Sequence, residues 1–236
     1  MIPYPDINPV ALAFGPIKIH WYGLTYIAGL TYAWWLARHR AAQPSTPIQR
    51  DQVDDLIFYA AIGIVLGGRL GYAFFYGFER LILDPLWLFR VWEGGMAFHG
   101  GLLGVLMAMA VFAWQRNIHW GRLMDFVAPL TPLGLAFGRL GNFIGQELWG
   151  RAANVPWAMV FPAGGPLPRH PSQLYEAALE GVILFVIVWS FAAKPRRPGQ
   201  VSGLFLLGYG VFRFFVEFYR EPDVHLGPVA LDWATM

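Results

Sequence analysis

The chain has 236 residues, of which 56% are hydrophobic, 17% aromatic and 14% charged. A soluble domain holds roughly 45–50% apolar and about 25% charged residues, so this balance excludes an ordinary soluble fold, and it excludes disorder and fibrous repeats as well. A net charge of +2 with no basic stripe speaks against a nucleic-acid partner, and the absence of Cys rules out disulfides, thiolate zinc sites and a Cys nucleophile of the chain's own.

A membrane-spanning helix needs about 20 mostly apolar residues. In chain order, Met1 to Pro16 has no cationic start and carries Pro3, Pro5, Pro9 and Pro16, so it does not read as a signal peptide. Spans are predicted at Ile19 to Ala37, Leu56 to Phe78, Met96 to Trp114, Phe126 to Ile144, Ala177 to Phe191 and Ser202 to Phe218. Pro129, Pro132 and several Gly interrupt the fourth. The longest connection, 149–173, is rich in Pro and Gly, and a long loop beside a membrane domain is more often functional than idle. The reading is an all-α polytopic membrane protein of six helices in one domain, 1–236. No internal repeat divides it into halves.

Basic residues orient it. Arg38, Arg40 and Arg50 follow the first span, Arg116 and Arg122 the third, and Lys194, Arg196 and Arg197 the fifth. By the positive-inside rule these loops are cytoplasmic and the N-terminus lies outside, with 149–173 on the outer face.

Three further arginines fall inside predicted spans: Arg69, Arg139 and Arg213. Each costs about 2.5–3.5 kcal/mol at a helix centre on insertion scales, so such charges face a protein interior, a polar cavity or a partner. Arg69 lies among Gly67, Gly68 and Gly71, a small-residue packing face where it can also snorkel or pair. Arg213 and Glu217 are four apart and share a helix face. Arg139 sits in Gly138-Arg139-Leu140-Gly141-Asn142, followed by Glu147 and Gly150-Arg151. An Arg with amide and carboxylate neighbours on a glycine-rich stretch reads as an anion site. The planar guanidinium donates two parallel hydrogen bonds to a phosphate and keeps its charge at any working pH.

His99 opens the third span, where its near-neutral pKa suits general-base work, although a His near a helix end is also an ordinary interfacial residue. Tyr22, in His20-Trp21-Tyr22-Gly23, fits an aromatic belt equally well. Arg169-His170-Pro171-Ser172-Gln173-Leu174-Tyr175-Glu176 reads as a helix start with Ser172 as N-cap. No soluble-enzyme motif competes, and His and carboxylates lack metal-ligand spacing. Neither a metal nor a cofactor is expected.

The stretch Gly138 to Arg151 resembles the signature of the bacterial prolipoprotein diacylglyceryl transferases. It is joined in order by 20–23, 67–72, 96–101, 169–176, and 208–213 with Glu217, Arg220 and Pro222, so the resemblance covers nearly the whole chain. It implies a seven-helix enzyme of the bacterial inner (cytoplasmic) membrane, with an outer-side head region. Such an enzyme moves the diacylglyceryl group of phosphatidylglycerol onto the lipobox Cys thiol of a preprolipoprotein signal peptide. A thioether forms and glycerol phosphate leaves, the first step of lipoprotein maturation. By resemblance Arg139 binds the lipid head group. Arg213, His99, Tyr22, Asn142 and Gly150 match positions needed for activity, and Glu147, Glu217, Arg69 and Tyr72 supporting positions. His99, Arg139, Arg213 and Tyr22 are the catalytic candidates; the others, with Arg139, are candidates for holding phosphatidylglycerol. Gly145 stands where the signature often has Asn. The family continues into a last helix for which no seventh apolar span is present, so truncation at the C-terminus is expected. The competing reading is an anion or lipid transporter with an Arg-lined cavity.

Overall fold

The computed structural model describes residues 2–5, 7–15, 17–43 and 46–221. Pro222 and the chain end, on which the truncation expectation falls, lie outside the described residues. The chain opens with three short strands, β1 (Ile2–Pro3), β2 (Val10–Phe14) and β3 (Ile17–His20). Helices follow: α1 (Trp21–Arg40), α2 (Gln52–Phe75), α3 (Phe78–Leu83), α4 (Phe98–Gln115), α5 (Trp120–Val127) and α6 (Thr131–Ile144). Strands β4 (Met159–Val160) and β5 (Pro168–Arg169) precede α7 (Ser172–Glu176), a π-helical turn (Ala177–Ile183), α8 (Leu184–Ala192) and α9 (Gln200–Glu217).

Among the described residues, four continuous helical stretches are long and apolar enough to cross a membrane: Gln52–Phe75, Phe98–Gln115, Trp120–Ile144 and Ser172–Ala192. The first and sixth expected spans are helices too, α1 and α9, but they are less apolar. Ile19 and His20, placed by sequence in the first span, instead pair with Leu12 and Val10 in an antiparallel hairpin. The strands depart from the all-α expectation. They are two to five residues long, too short to print a period-2 pattern on a sequence this apolar.

The chain divides into two compact units, Ala37–Met124 and the combination of Met1–Leu36 with Asp125–Met236. In the first, α2 and α4 meet along a glycine seam. A Cβ on Gly63 would stand 2.6 Å from the Gly104 carbonyl oxygen, and one on Gly71 2.7 Å from Gly100 Cα. Small residues four apart permit this backbone approach, the packing mode favoured where lipid removes the hydrophobic drive. Arg116 pairs with Asp55 across the two helices, and the Tyr59 hydroxyl donates to Gln115 Oε1 at 2.6 Å.

In the second unit α8 and α9 pack through Leu184, Val188 and Val201 around Ala128, with Phe191, Phe205 and Phe212 at the margins. Asp125 caps the start of α9: its carboxylate accepts from the Gly199 and Ser202 backbone N–H groups, each at 2.8 Å. This places negative charge where the helix leaves N–H groups unsatisfied. The long connection is ordered. Strand β4 pairs parallel with β1 and antiparallel with β5. Arg169 then fastens the loop by donating to the carbonyls of Gly150 (3.2 Å) and Gly164 (3.3 Å) while pairing with Glu221 (3.1 Å).

Candidate active site

The signature stretch sits where α6 ends. The Tyr4 hydroxyl donates to the carbonyls of Phe143 (2.9 Å) and Ile144 (3.1 Å), satisfying acceptors that the helix end leaves open. Burial pushes the Tyr4 phenol above its ordinary pKa. Gln146 and Leu148 both adopt φ of 55°, a left-handed conformation that costs a non-glycine residue and clusters at functional sites. Glu147 lies between them. Its N–H donates to the Asn142 carbonyl at 2.9 Å. Its carboxylate accepts from Asn142 Nδ2 at 3.4 Å, and its own carbonyl accepts from Gln173 Nε2 at 2.7 Å. Asn142 and Gln173 are both buried. Ser172 is not the N-cap expected from sequence. It is the first residue of α7, and its hydroxyl donates to the Leu148 carbonyl at 3.0 Å. The start of α7 is thereby pinned to the strained turn.

Glu176 ends α7 and is fully buried. Arg139 Nε lies 2.5 Å and Arg213 Nη1 3.6 Å from its Oε2. Arg213 Nη2 donates to Glu217 Oε2 at 2.5 Å, so the pair expected from the spacing of four is formed. The two nitrogens of the Arg139 fork, Nη1 and Nη2, meet no acceptor among the described residues. The π turn begins at the next residue, and its Glu180 is also fully buried, with neither carboxylate oxygen hydrogen-bonded among the described residues. A π turn inserts an extra residue into the helix and is frequently found at functional sites. Gly181 lets this turn lie against α6, since a Cβ there would stand 2.5 Å from Ala136 Cβ.

Sequence reasoning passed over Glu176 and Glu180 as site residues. The signal was present: two carboxylates four apart at the head of an apolar span cost as much to bury as the arginines that were noticed.

Tyr22 stands on α1 beside α6, where a Cβ on Gly141 would meet Tyr22 Cδ2 at 3.1 Å. Its hydroxyl is 3.1 Å from that of Tyr26, and it is within electrostatic reach of Arg139 and Glu147. Gly150 has an explanation in packing. Its N–H donates to the His170 carbonyl at 2.9 Å, and a Cβ would stand 2.5 Å from Tyr219 O and 2.6 Å from His170 O. His170 itself is held below its ordinary pKa by burial. Its Nδ1 is 3.0 Å from the Tyr175 hydroxyl, which accepts from Trp157 Nε1 at 2.7 Å.

Arg69, Tyr72 and His99 belong to the unit Ala37–Met124. Arg69 is buried and stacks on Trp87 at 4.3 Å. Its Nε donates to Leu88 O, Nη1 to Gly94 O and Gly95 O, and Nη2 to Trp87 O and Arg90 O. These five bonds match the five N–H groups of a guanidinium. The side chain is a clamp on the segment 87–95, with all five N–H groups engaged by backbone carbonyls. Tyr72 stacks on Tyr76 at 5.7 Å between ring centroids. His99 is exposed at the second residue of α4.

Apolar helices able to cross a bilayer, with two arginines gathered on one buried carboxylate, define a helical membrane protein with an interior arginine–glutamate site. The chain belongs to the prolipoprotein diacylglyceryl transferase family, which matches residues 9–236. It is 60% identical over 236 residues to the phosphatidylglycerol–prolipoprotein diacylglyceryl transferase of Chromohalobacter salexigens, covering 100% of this chain and 88% of that protein. Identity to the protein of the same name from Pseudomonas paraeruginosa is 57%, covering all of this chain and 89% of the relative. It is also 57% for Coxiella burnetii, covering all of this chain and 90% of the relative.

Proposed function

We propose that this chain transfers the diacylglyceryl group of phosphatidylglycerol to the lipobox Cys thiol of prolipoproteins in the bacterial inner membrane. The observation that carries the reading is the arginine pair: Arg139 and Arg213 converge on Glu176 while the Arg139 fork has no protein acceptor among the described residues. A guanidinium fork of fixed charge fits a phosphodiester oxygen pair. At about 4 Å and an effective dielectric near 20, each guanidinium–phosphate pair is worth ~4 kcal/mol before desolvation.

The thiol sulfur bonds to the glycerol C3 carbon, the C3–O bond to phosphate breaks, and the electron pair leaves on glycerol phosphate. Negative charge on that phosphate grows through the transition state, so cations fixed beside it stabilise the transition state more than the ground state. The nucleophile is the substrate's, which is consistent with a chain without Cys. A free thiol has a pKa of about 8.5 and must lose its proton to attack; His99 is the residue the family resemblance offers for that proton. Asn142 and Glu147 steady the turn beneath Arg139.

The basic loops support an orientation with six helices across the membrane, the N-terminus outside and 149–173 as an outer head region. The test is direct: purified protein in phosphatidylglycerol micelles is given a lipobox peptide. Gain of a diacylglyceryl mass on the peptide, matched by glycerol phosphate release, supports the reading. A peptide that stays unmodified while the protein is folded overturns it.

A further inference from the structure

Glu176 is not among the candidate site residues named from sequence, yet it pairs with both Arg139 and Arg213 and is fully buried. We propose that Glu176 is a positioning residue, the resident counter-anion of Arg139 and Arg213, and that it sets how tightly the site holds phosphate. This rests on the phosphatidylglycerol reading above.

Two guanidiniums drawn to one place repel each other, and a carboxylate between them removes that repulsion. Glu176 takes Arg139 by Nε, on the flank of the guanidinium, and so does not occupy the Nη fork. Hydrogen bonds from Ser172 to Leu148 and from Gln173 to Glu147 fix the start of α7 against the end of α6, which holds the carboxylate in place.

Charge arithmetic adds a second consequence. Arg139 and Arg213 contribute two positive charges, Glu176 and the more exposed Glu217 return two negative ones, and Glu180, fully buried four residues after Glu176, adds to the negative side when ionised. A phosphodiester brings one more negative charge, and the leaving phosphate monoester brings up to two. Glu176 therefore opposes binding of the lipid somewhat and retention of the product more, so its field favours release. Gln at this position keeps the shape and removes the charge. Phosphate then binds more tightly and the product leaves more slowly, whereas loss of a merely structural contact would not tighten anything.

The experiment compares wild type, Glu176→Gln and Glu176→Asp, each the full chain in phosphatidylglycerol micelles. It measures kcat, KM for the lipid and inhibition by added glycerol phosphate. In Glu176→Gln, kcat falls, KM does not rise, and the inhibition constant drops at least about tenfold, the effect of one close charge pair. Glu176→Asp withdraws the carboxylate by one methylene and lowers the inhibition constant by a smaller factor; it carries the test if the Gln variant is not recovered folded. An inhibition constant that is unchanged or raised in the variant measured overturns the proposal. A wild-type protein that transfers nothing from phosphatidylglycerol overturns the underlying functional reading instead, and does so before any variant is compared.

Discussion

Replacing Gly150 by Ala adds one methyl group at the junction of three chain segments. The new Cβ would meet Tyr219 O at 2.5 Å, His170 O at 2.6 Å and His170 Cβ at 2.7 Å. Two of these are backbone oxygens and the third is the root of a side chain, so no flexible tip can swing aside. Relief requires the 150–151 segment to part from His170 and from Tyr219, which breaks the bonds from Gly150 N to His170 O and from Arg151 N to Tyr219 O, both 2.9 Å. Overpacking of this kind costs about 1–3 kcal/mol, and at roughly 2–4 °C per kcal/mol for a chain of this size the melting temperature drops by about 2–12 °C. The strain also separates the segment bearing Glu176 from the helix bearing Arg213, so transfer by the surviving folded protein falls as well. Thermal unfolding and transfer are measured on the same purified preparation. An unchanged melting temperature refutes the packing argument; if transfer is nevertheless lost, Gly150 approaches the substrate, as the family resemblance had suggested.

Two further substitutions are informative. Arg69→Lys offers three donors where five are used, each lost charged hydrogen bond being worth roughly 1.5–3 kcal/mol, so hydrogen exchange across residues 85–95 quickens by about tenfold or more; unchanged protection there refutes the clamp. His170 concerns pH. Its Nδ1 faces a Tyr175 hydroxyl whose oxygen already accepts from Trp157, which favours the neutral ring with Tyr175 as donor. The folded-state pKa lies below the unfolded value, so its contribution to stability is complete above the unfolded value of about 6.5 and is lost as pH falls from there through the folded value. Wild type therefore melts at lower temperature on acidification through that window, and His170→Asn loses that part of the decline. A variant with the same slope as wild type refutes the assignment.

Four of the six expected spans were legible in the sequence because long apolar runs leave no other option in a bilayer, and the Arg213–Glu217 pair because spacing of four sets two side chains on one helix face. The small sheet was not legible: β1 and β4 are far apart in the chain, and strands of two residues carry no periodicity. Arg69 shows a different limit. Its cost inside a span is visible from sequence, but that five carbonyls of a following loop would absorb it is a matter of three-dimensional closure. Glu176 was read as part of a helix start, because its meaning comes from Arg139 and Arg213, 37 residues before and after it. The π turn that follows it has no sequence signature at all.

The central claim is that the Arg139 guanidinium holds the phosphate of the lipid donor. Arg139→Ala, assayed as full chain for transfer from phosphatidylglycerol to a lipobox peptide and for glycerol phosphate release, tests it most directly. The account predicts loss of at least about 10²-fold in kcat/KM per folded molecule, the usual cost of one donor at a developing charge, with the folded fraction measured on the same preparation because the variant also leaves buried Glu176 without its nearest partner. Turnover near the wild-type rate contradicts it.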